Sequence, residues 1–335
     1  MATDRPPGSS EPRASFLSDE RVRDGLFAGL IAVVAALTIR FLSASPLDYL
    51  HYAVLGDLTG IDFGEWPGIF YTSGNGDGEV FAVLAVDPFG NGPSQMIPSV
   101  AYRYGRIGMS GLAFVLSFGR DALVLPALFI IGLSAVAMVG FLSGFWRQRF
   151  GPRSWALVLN PALYIGFVGD TAEPLGILLL ALGLVGSGYW AAVALGVTRP
   201  TFGTALFGRW RILAALVATA IAVRLAAASI FGGSIFDVSS DSFGSSSNFG
   251  PPAMAFFAQP SVLGFLVLAS GVFTLLFGAV RRDPAWIVSG VLVVVFGEAV
   301  TANPLNAVRA AGMLPVLWAL TQMSSRSQVS ETSIG

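Results

Sequence analysis

The sequence predicts an all-α, polytopic transmembrane helix bundle with about eight spans. Of its 335 residues, 54% are hydrophobic and 12% are charged, which is about half the charged share of an ordinary soluble domain. The apolar residues are also gathered into segments long enough to cross a hydrocarbon core of about 30 Å. Since the backbone polar groups of such segments must be satisfied without water, the segments cross as helices.

Eight segments qualify as spans if short ones are tolerated where neighbouring helices shield their ends. They are residues 25–44, 121–145, 155–170, 174–196, 212–231, 261–280, 285–300 and 308–323. This arrangement predicts a single transmembrane domain over 25–323, with a disordered cytoplasmic tail at 1–24 and a second tail at 324–335. The apolar stretch 107–119 would reach only about 20 Å as a helix, so we expect it to be interfacial.

The arginines predict the orientation, because positively charged residues accumulate on the cytoplasmic side. With the N-terminus inside, 13 of the 19 basic residues fall on the inner side, Arg199 among them. Both termini are then cytoplasmic, and the loops 45–120 and 232–259 face outward from the cell membrane. Counting 107–119 as a full span would move the arginine-rich stretch 147–153 outside, so that count is rejected.

Residue types that are scarce exclude several kinds of chemistry. The chain has no Cys and one His, and all 19 basic residues are Arg. Thiolate and multi-histidine metal centres, the P-loop lysine and Schiff-base catalysis are therefore excluded. Any chemistry must be carried by carboxylates and arginines.

The first outer loop, 45–120, holds the most informative of these residues. Glycines on both sides of Asp77 let the backbone turn tightly and leave the carboxylate open to a ligand. Pro88 ends any helix before Asp87, so we expect a short helix over about 79–86. Arg103 and Arg106 share one face if that piece is helical, which suits a phosphate or a carboxylate. The alternative is a solvated loop whose arginines extend to lipid headgroups, although loops of this length are uncommon unless functional.

Two further acids lie at a predicted outer boundary. Asp170 and Glu173 are one helical turn apart and could line the same cavity as the loop carboxylates. The alternative is a loop carboxylate followed by an acidic first turn before Pro174, which suits the positive end of a helix dipole.

Three other polar residues need a separate explanation. Arg224 and Glu298 fall within predicted spans, where ionised groups are expensive and usually face a polar interior. His51 lies between Tyr49 and Tyr52 just past the first span, where an interfacial aromatic belt explains it without chemistry.

The motifs resemble those of GT-C-type integral-membrane glycosyltransferases. In its first outer loop that family carries an Asp-Gly-Gln-aromatic element, and this chain has Gly-Asp-Gly-Glu at 76–79. The family element is followed by Pro-Ala-Tyr-Arg-Tyr-x-Arg and an apolar helix, and this chain has Ala-Tyr-Arg-Tyr-Gly-Arg at 101–106. Asp-Thr-Ala-Glu at 170–173 is similar to the family's Asp-x-Thr-Glu element. Leu-Gly-Val-Thr-Arg at 195–199 is similar to its Leu-Thr-Arg-Glu, and the stretch 309–315 to its last Arg-x-x-x-Pro span.

The resemblance implies an inverting enzyme that moves a hexosyl or pentosyl group from a polyprenyl-phosphate donor to a glycan, lipid or protein acceptor at the outer face. Asp77 matches the position of the general base. The implied substrate-binding residues are Glu79, Asp87, Arg103, Arg106, Asp170, Glu173 and Arg309, of which the arginines would hold the donor phosphate. No resident cofactor or nucleic-acid partner is expected, and a divalent cation at Asp77 and Asp87 stays an open alternative.

Two other functions stay open. A transporter or lipid scramblase would have polar residues near mid-span, discontinuous helices and an inverted repeat. A non-catalytic relative that supports another enzyme is favoured by Glu79, where the family has Gln, and by Pro200, where it has Glu.

Overall fold

The computed structural model describes residues 19–43, 53–55, 69–71, 77–97, 100–169, 171–185, 188–232, 262–295 and 308–320. The helices are α1 (Glu20–Ser43), α2 (Asp77–Val86), α3 (Val100–Tyr104), α4 (Ile107–Leu116), α5 (Asp121–Phe145), α6 (Arg147–Phe150), α7 (Trp155–Val158), α8 (Pro161–Val168), α9 (Glu173–Val185), α10 (Gly188–Thr198), α11 (Trp210–Phe231), α12 (Val262–Arg281), α13 (Pro284–Val294) and α14 (Val308–Leu320). Short 3₁₀ segments cover Pro93–Met96, Gly151–Ser154 and Pro200–Leu206. Two strands, β1 (Ala53–Leu55) and β2 (Ile69–Tyr71), pair in parallel.

Four helices are long and apolar enough to cross a membrane, namely α1, α5, α11 and α12. They match the predicted spans 25–44, 121–145, 212–231 and 261–280, so the predicted helical architecture is confirmed, and the length and composition of these four helices indicate a membrane protein. The other four predicted spans hold shorter helices. One of them is broken between α7 and α8, where Pro161 begins a helix capped by the Asn160 side chain. The full count of eight spans is therefore not confirmed.

The predicted single span over 174–196 is wrong, because the chain reverses within it. A Cβ placed on Gly183 in α9 would lie 3.1 Å from the Cβ of Ala191 in α10, and Glu173 at the start of α9 contacts Arg199 just after α10. The two helices thus form an antiparallel hairpin of 13 and 11 residues, about 20 Å and 17 Å long. Arg199 and Glu173 share one end of the bundle, so the prediction that put them on opposite sides of the membrane is also wrong.

The predicted loop 45–120 contains short helices, as expected, together with the small β-ladder, which was not expected. The predicted helix over 79–86 is confirmed and starts two residues earlier, at Asp77. Phe81 in this helix is 2% exposed and belongs to one buried cluster with Met109 of α4 and Ala172. The strands consist of apolar, β-branched and aromatic residues, which pack well on a pleated ribbon.

Small residues let α1 and α5 pack closely along their length. A Cβ on Gly140 of α5 would lie 2.7 Å from the Cβ of Ala32 and 2.8 Å from the carbonyl oxygen of Ala28. A Cβ on Gly29 of α1 would lie 3.1 Å from the carbonyl oxygen of Ala137. Close approach of small residues is a common means of packing helices in lipid, where no hydrophobic effect holds them together.

Adding one methyl group to this interface should destabilise the protein. We expect Gly140→Ala to lower the free energy of unfolding by about 1–3 kcal/mol, because the added carbon meets rigid backbone and Cβ atoms. The matched control is Gly111→Ala in α4, where nothing lies within 4 Å of the new Cβ and the gain in helix propensity is up to about 1 kcal/mol. Thermal unfolding in detergent measures both; equal shifts would contradict this packing.

Candidate functional site

The centre of the candidate site is Glu173, a fully buried carboxylate held by two arginines. Its side chain is 1% exposed, and its Oε1 lies 2.7 Å from Arg199 Nη2 and 3.2 Å from Arg309 Nη2. The two arginine side chains are 13% and 12% exposed. Two cations against one anion leave a formal charge of +1 among these three side chains. Buried charges of this kind are expensive in a membrane protein and commonly mark a functional site.

Three separate parts of the chain bring these residues together. Glu173 is the first residue of α9, and it lies close to α8, since a Cβ on Gly166 would come within 2.8 Å of the Glu173 Cβ. Arg199 ends the hairpin and begins the 3₁₀ segment Pro200–Leu206. Arg309 is the second residue of α14, 136 residues beyond Glu173.

A side-chain amide fixes the start of α14 against α8. Asn160 Nδ2 donates a hydrogen bond of 2.7 Å to the carbonyl oxygen of Gly312, and its Oδ1 accepts one of 3.1 Å from Ala162 N. Asn160 is 1% exposed, so both bonds are shielded from solvent. This contact sets the position of the turn that carries Arg309.

Arg40 supports the same end of the bundle from α1. It is 6% exposed, and its Nη1 donates a 2.7 Å hydrogen bond to the carbonyl oxygen of Phe167 near the end of α8. Its guanidinium carbon lies 5.2 Å and 5.1 Å from the ring centroids of Phe129 and Phe167, which adds cation–π attraction. Because Phe129 is eight residues into α5, this contact is made about 12 Å along that helix from its start.

The predicted loop 45–120 reaches this site through α2 and α4. A Cβ on Gly108 would lie 2.5 Å from Thr198 Oγ1, so α4 begins beside the end of α10 and next to Arg199. Arg106 immediately precedes α4, and its guanidinium carbon lies 5.9 Å from the ring centroid of Phe81. Phe81 is one helical turn beyond Asp77, so the beginning of α2 and Arg106 lie near the same end of the bundle.

The predicted site residues therefore separate into groups. Glu173 and Arg309 are in contact, Arg106 is near them, and α2 begins near Arg106. Arg103 lies in α3, which ends at Tyr104, so it does not share a continuous helix with Arg106 as its spacing had suggested. Arg224 is partly buried in α11. Asp170, His51 and Glu298 lie outside the described residues, so the predictions for them are not tested. For Asp77 and Glu79 the structure describes the helical backbone but not the side chains.

Asp87 does not have an open carboxylate, contrary to its prediction as a substrate-binding residue. Its side chain accepts hydrogen bonds from Asn91 N at 2.9 Å and Gly92 N at 2.7 Å. It also accepts bonds from the backbone N and the hydroxyl of Ser94, at 3.2 Å and 2.6 Å. The group is 8% exposed and stabilises the turn after α2. This arrangement also makes a cation shared with Asp77 unfavourable, because both Asp87 oxygens are already engaged.

The hydrogen bonds determine the charge state of Asp87. Burial by itself raises the pKa of the carboxyl, but the bonds from the Ser94 hydroxyl and from the Asn91, Gly92 and Ser94 backbone outweigh it and hold the pKa below its usual value. Since the folded-state pKa is the lower one, this stabilisation is present above the unfolded-state pKa of about 3.9 and is lost as the pH falls through the folded-state value.

Removal of this carboxylate should make the turn less stable. We expect Asp87→Ala to cost about 1–3 kcal/mol, since three backbone N–H groups lose their acceptor. The loss should shrink as the pH falls through the folded-state pKa, which lies below the ordinary value, because the wild-type carboxyl is then protonated as well. Chemical denaturation over a series of pH values, from neutral into the acid range, tests this; a loss that stays the same until the wild type itself unfolds in acid would contradict the assigned role.

Arg199 and Arg40 are the residues that sequence reasoning missed. A signal for Arg199 does exist, because Gly186-Ser187-Gly188 is a turn signal in the middle of the apolar run 174–196. Since α9 and α10 on either side of this signal run antiparallel, residue 199 lies beside residue 173. For Arg40 the sequence gives only an arginine near the end of a span, and nothing local indicates that it turns inward.

The arrangement suits the binding of an anion more than the binding of a metal. Guanidinium groups bind phosphate and carboxylate with well-defined geometry, and here they converge where water is largely excluded. Among the described residues no group of three or more His, Asp or Glu side chains is placed to hold a metal ion. No protein-family model, curated protein or solved structure matches this chain.

Proposed function

We propose that this chain is a multi-pass membrane glycosyltransferase that transfers a hexosyl or pentosyl group, with inversion, from a polyprenyl-phosphate donor to a glycan, lipid or protein acceptor. The observation that carries the proposal is the pair Arg199 and Arg309, held together on buried Glu173. A donor of this kind presents a phosphate at the membrane, and its departure requires charge stabilisation. Two fixed guanidinium groups in a water-poor site supply it.

Glu173 has a positioning role in this proposal. Without a carboxylate between them, two guanidinium groups at this depth would repel each other and would not hold a common orientation. By engaging one nitrogen of each arginine, Glu173 Oε1 fixes the two guanidinium groups next to each other, an arrangement that suits an anion.

The transfer step then follows from the residues near this pair. The oxygen of the acceptor hydroxyl attacks the anomeric carbon, its proton passes to the Asp77 carboxylate, and the bond from the anomeric carbon to the phosphate oxygen breaks. The phosphate leaves with the bonding electrons and is stabilised by Arg309, Arg199 and Arg106. The start of α2 near Arg106 supports the assignment of Asp77 as the base.

The orientation belongs to the same proposal, with both termini in the cytoplasm and the site facing outward. The opposite end of the bundle carries other basic groups. Arg147 lies 3.7 Å from Asp24 near the start of α1, and Arg209 donates to the carbonyl oxygen of Leu184, at the far end of α9 from Glu173. Such an accumulation is typical of the cytoplasmic side.

A base substitution tests the proposal. In purified protein with a matched polyprenyl-phosphate sugar donor, Asp77→Asn should lower transfer by about 10²–10⁴-fold, the usual contribution of a general base. Asp121→Asn is the control, because Asp121 is an exposed carboxylate at the start of α5. Transfer that survives Asp77→Asn undiminished would remove Asp77 as the base.

One observation favours a second function, a lipid scramblase or transporter. The hairpin of α9 and α10 and the break between α7 and α8 are discontinuous helices that lead to buried charges, and such helices line the substrate sites of many transporters. In that case Arg199 and Arg309 would bind the phosphate of a lipid that moves without covalent change.

A further inference from the structure

A second candidate binding site lies between α12, α13 and α14, separate from the cluster around Glu173. It is a cavity of about 480 Å³, within the usual range of about 300–1,000 Å³ for ligand sites. Its walls are almost entirely apolar, and they include Leu266 and Phe273 of α12 and Leu314 of α14. Leu266 and Phe273 are also 56% and 60% exposed on the outside of the bundle, so the cavity opens on the surface that faces lipid.

The polar groups of the cavity wall are satisfied within the protein, with one exception. Ser270 Oγ donates to the carbonyl oxygen of Val267, and Thr274 Oγ1 donates to that of Ser270. Trp286 is 2% exposed and lines the cavity, yet within the described part of the chain its Nε1–H donates to no acceptor. A buried donor without a partner is costly, so a ligand of this cavity should bring an acceptor oxygen into an otherwise apolar space.

A positive charge stands at one end of the cavity. The guanidinium carbon of Arg153 lies 5.8 Å from the ring centroid of Trp318, which also lines the cavity. Arg153 is exposed, and Trp and Arg together are typical of the level of lipid headgroups. The phosphate of a lipid at this level would meet Arg153 while its hydrocarbon chain enters the cavity.

We infer that this cavity binds a glycerophospholipid of the bilayer, with one acyl chain between α12 and α14, an ester carbonyl accepting from Trp286 Nε1–H, and the phosphate beside Arg153. The ester distinguishes this occupant from an isoprenoid chain, which carries no oxygen and would leave the indole N–H unsatisfied. The phospholipid therefore uses polar groups other than Arg309, although Asn160 and Gly312, which position Arg309, also line the cavity. Since α14 contributes both Arg309 and the cavity wall, a bound phospholipid would also stabilise the helix that carries Arg309.

The test compares a di-ester phosphatidylglycerol with its di-ether analogue, which has the same chains and headgroup but no carbonyl oxygen. Affinity for the purified full chain in detergent is measured by native mass spectrometry. We expect the ester lipid to bind roughly three- to tenfold more tightly, which is the gain in affinity that one net hydrogen bond provides. In Trp286→Phe, which keeps an aromatic ring and removes the donor, the two lipids should bind equally.

Matched variants complete the experiment. Trp190→Phe alters a Trp that is 78% exposed and outside the cavity, so it should keep the preference for the ester. Ser270→Phe fills the cavity and should abolish binding of both lipids, and Arg153→Gln should weaken both by the same factor. Excess polyprenyl phosphate should not displace the ester lipid. Equal binding of the two lipids by the wild type, a preserved ester preference in Trp286→Phe, or displacement by polyprenyl phosphate would overturn the inference.

Discussion

Glu173→Gln should lower the free energy of unfolding by about 3–5 kcal/mol, the usual cost of removing one partner from a buried ion pair. The substitution preserves shape and hydrogen-bonding capacity but takes a negative charge from a site that keeps Arg199 and Arg309. Few single substitutions cost this much, and those that do usually break a buried network. Thermal and denaturant unfolding of the purified protein in detergent measure the loss.

The control for this substitution is an exposed ion pair on the same chain. Glu20 Oε1 lies 4.0 Å from Arg23 Nη2, and the two side chains are 68% and 74% exposed. Pairs of this kind contribute about 0–1 kcal/mol, so Glu20→Gln should leave stability almost unchanged. If the Glu173→Gln protein were as stable as the Glu20→Gln protein, Glu173 would not stabilise the buried Arg199 and Arg309 through its negative charge.

Arg309→Met should lower kcat/KM for sugar transfer by about 10²–10³-fold, the usual effect of deleting one group that stabilises developing negative charge. Arg309→Lys should restore little of it, because a lysine presents a point charge in place of the planar guanidinium fork. Arg209→Gln is the matched control. That arginine is exposed and donates to the carbonyl oxygen of Leu184 at the other end of α9, so its removal should not affect transfer.

A double variant separates the stability of the cluster from its function. Glu173→Gln combined with Arg309→Met removes one charge of each sign, and we expect it to recover part of the stability lost in Glu173→Gln alone. Activity should stay as low as in Arg309→Met, because the phosphate ligand is still missing. Recovery of transfer together with stability would assign Arg309 a purely structural role.

The sequence predicted the long, local features of this fold well. The helix over 121–145 has the predicted bounds, because an apolar run between Arg120 and the arginine-rich stretch 147–153 has clear ends. The end of the helix before Asp87 was also predictable, since Pro88 does not allow a regular helix to continue through it. Features of this kind depend on a few neighbouring residues.

The sequence was less informative where an apolar run contains a turn. Hydropathy averaged over a span-length window is the same for one helix of 23 residues and for two short helices joined by Gly186-Ser187-Gly188. The single span over 174–196 followed from that average, and with it the wrong side for Arg199. The contact between Glu173 and Arg199, together with the close approach of Gly183 and Ala191, distinguishes the two solutions.

The candidate site was only partly predictable for a related reason. Glu173 and Arg309 were both identified as candidates, yet their contact joins positions 136 residues apart, and no local pattern encodes such a contact. For Asp87 the sequence indicated an accessible acid, whereas the following turn supplies its hydrogen bonds. An acid followed by Gly and Ser residues satisfies a nearby backbone as readily as it binds a ligand.

Sugar transfer and lipid movement can be measured together in proteoliposomes that contain the purified chain and a polyprenyl-phosphate donor labelled in its sugar. A glycosyltransferase should form a covalent product with a supplied acceptor, the product should disappear in Asp77→Asn and Arg309→Met, and Asp121→Asn and Arg209→Gln should form it normally. Labelled lipid that crosses the bilayer without any covalent product, in a manner that depends on Arg309, would contradict the proposed transferase and favour a scramblase.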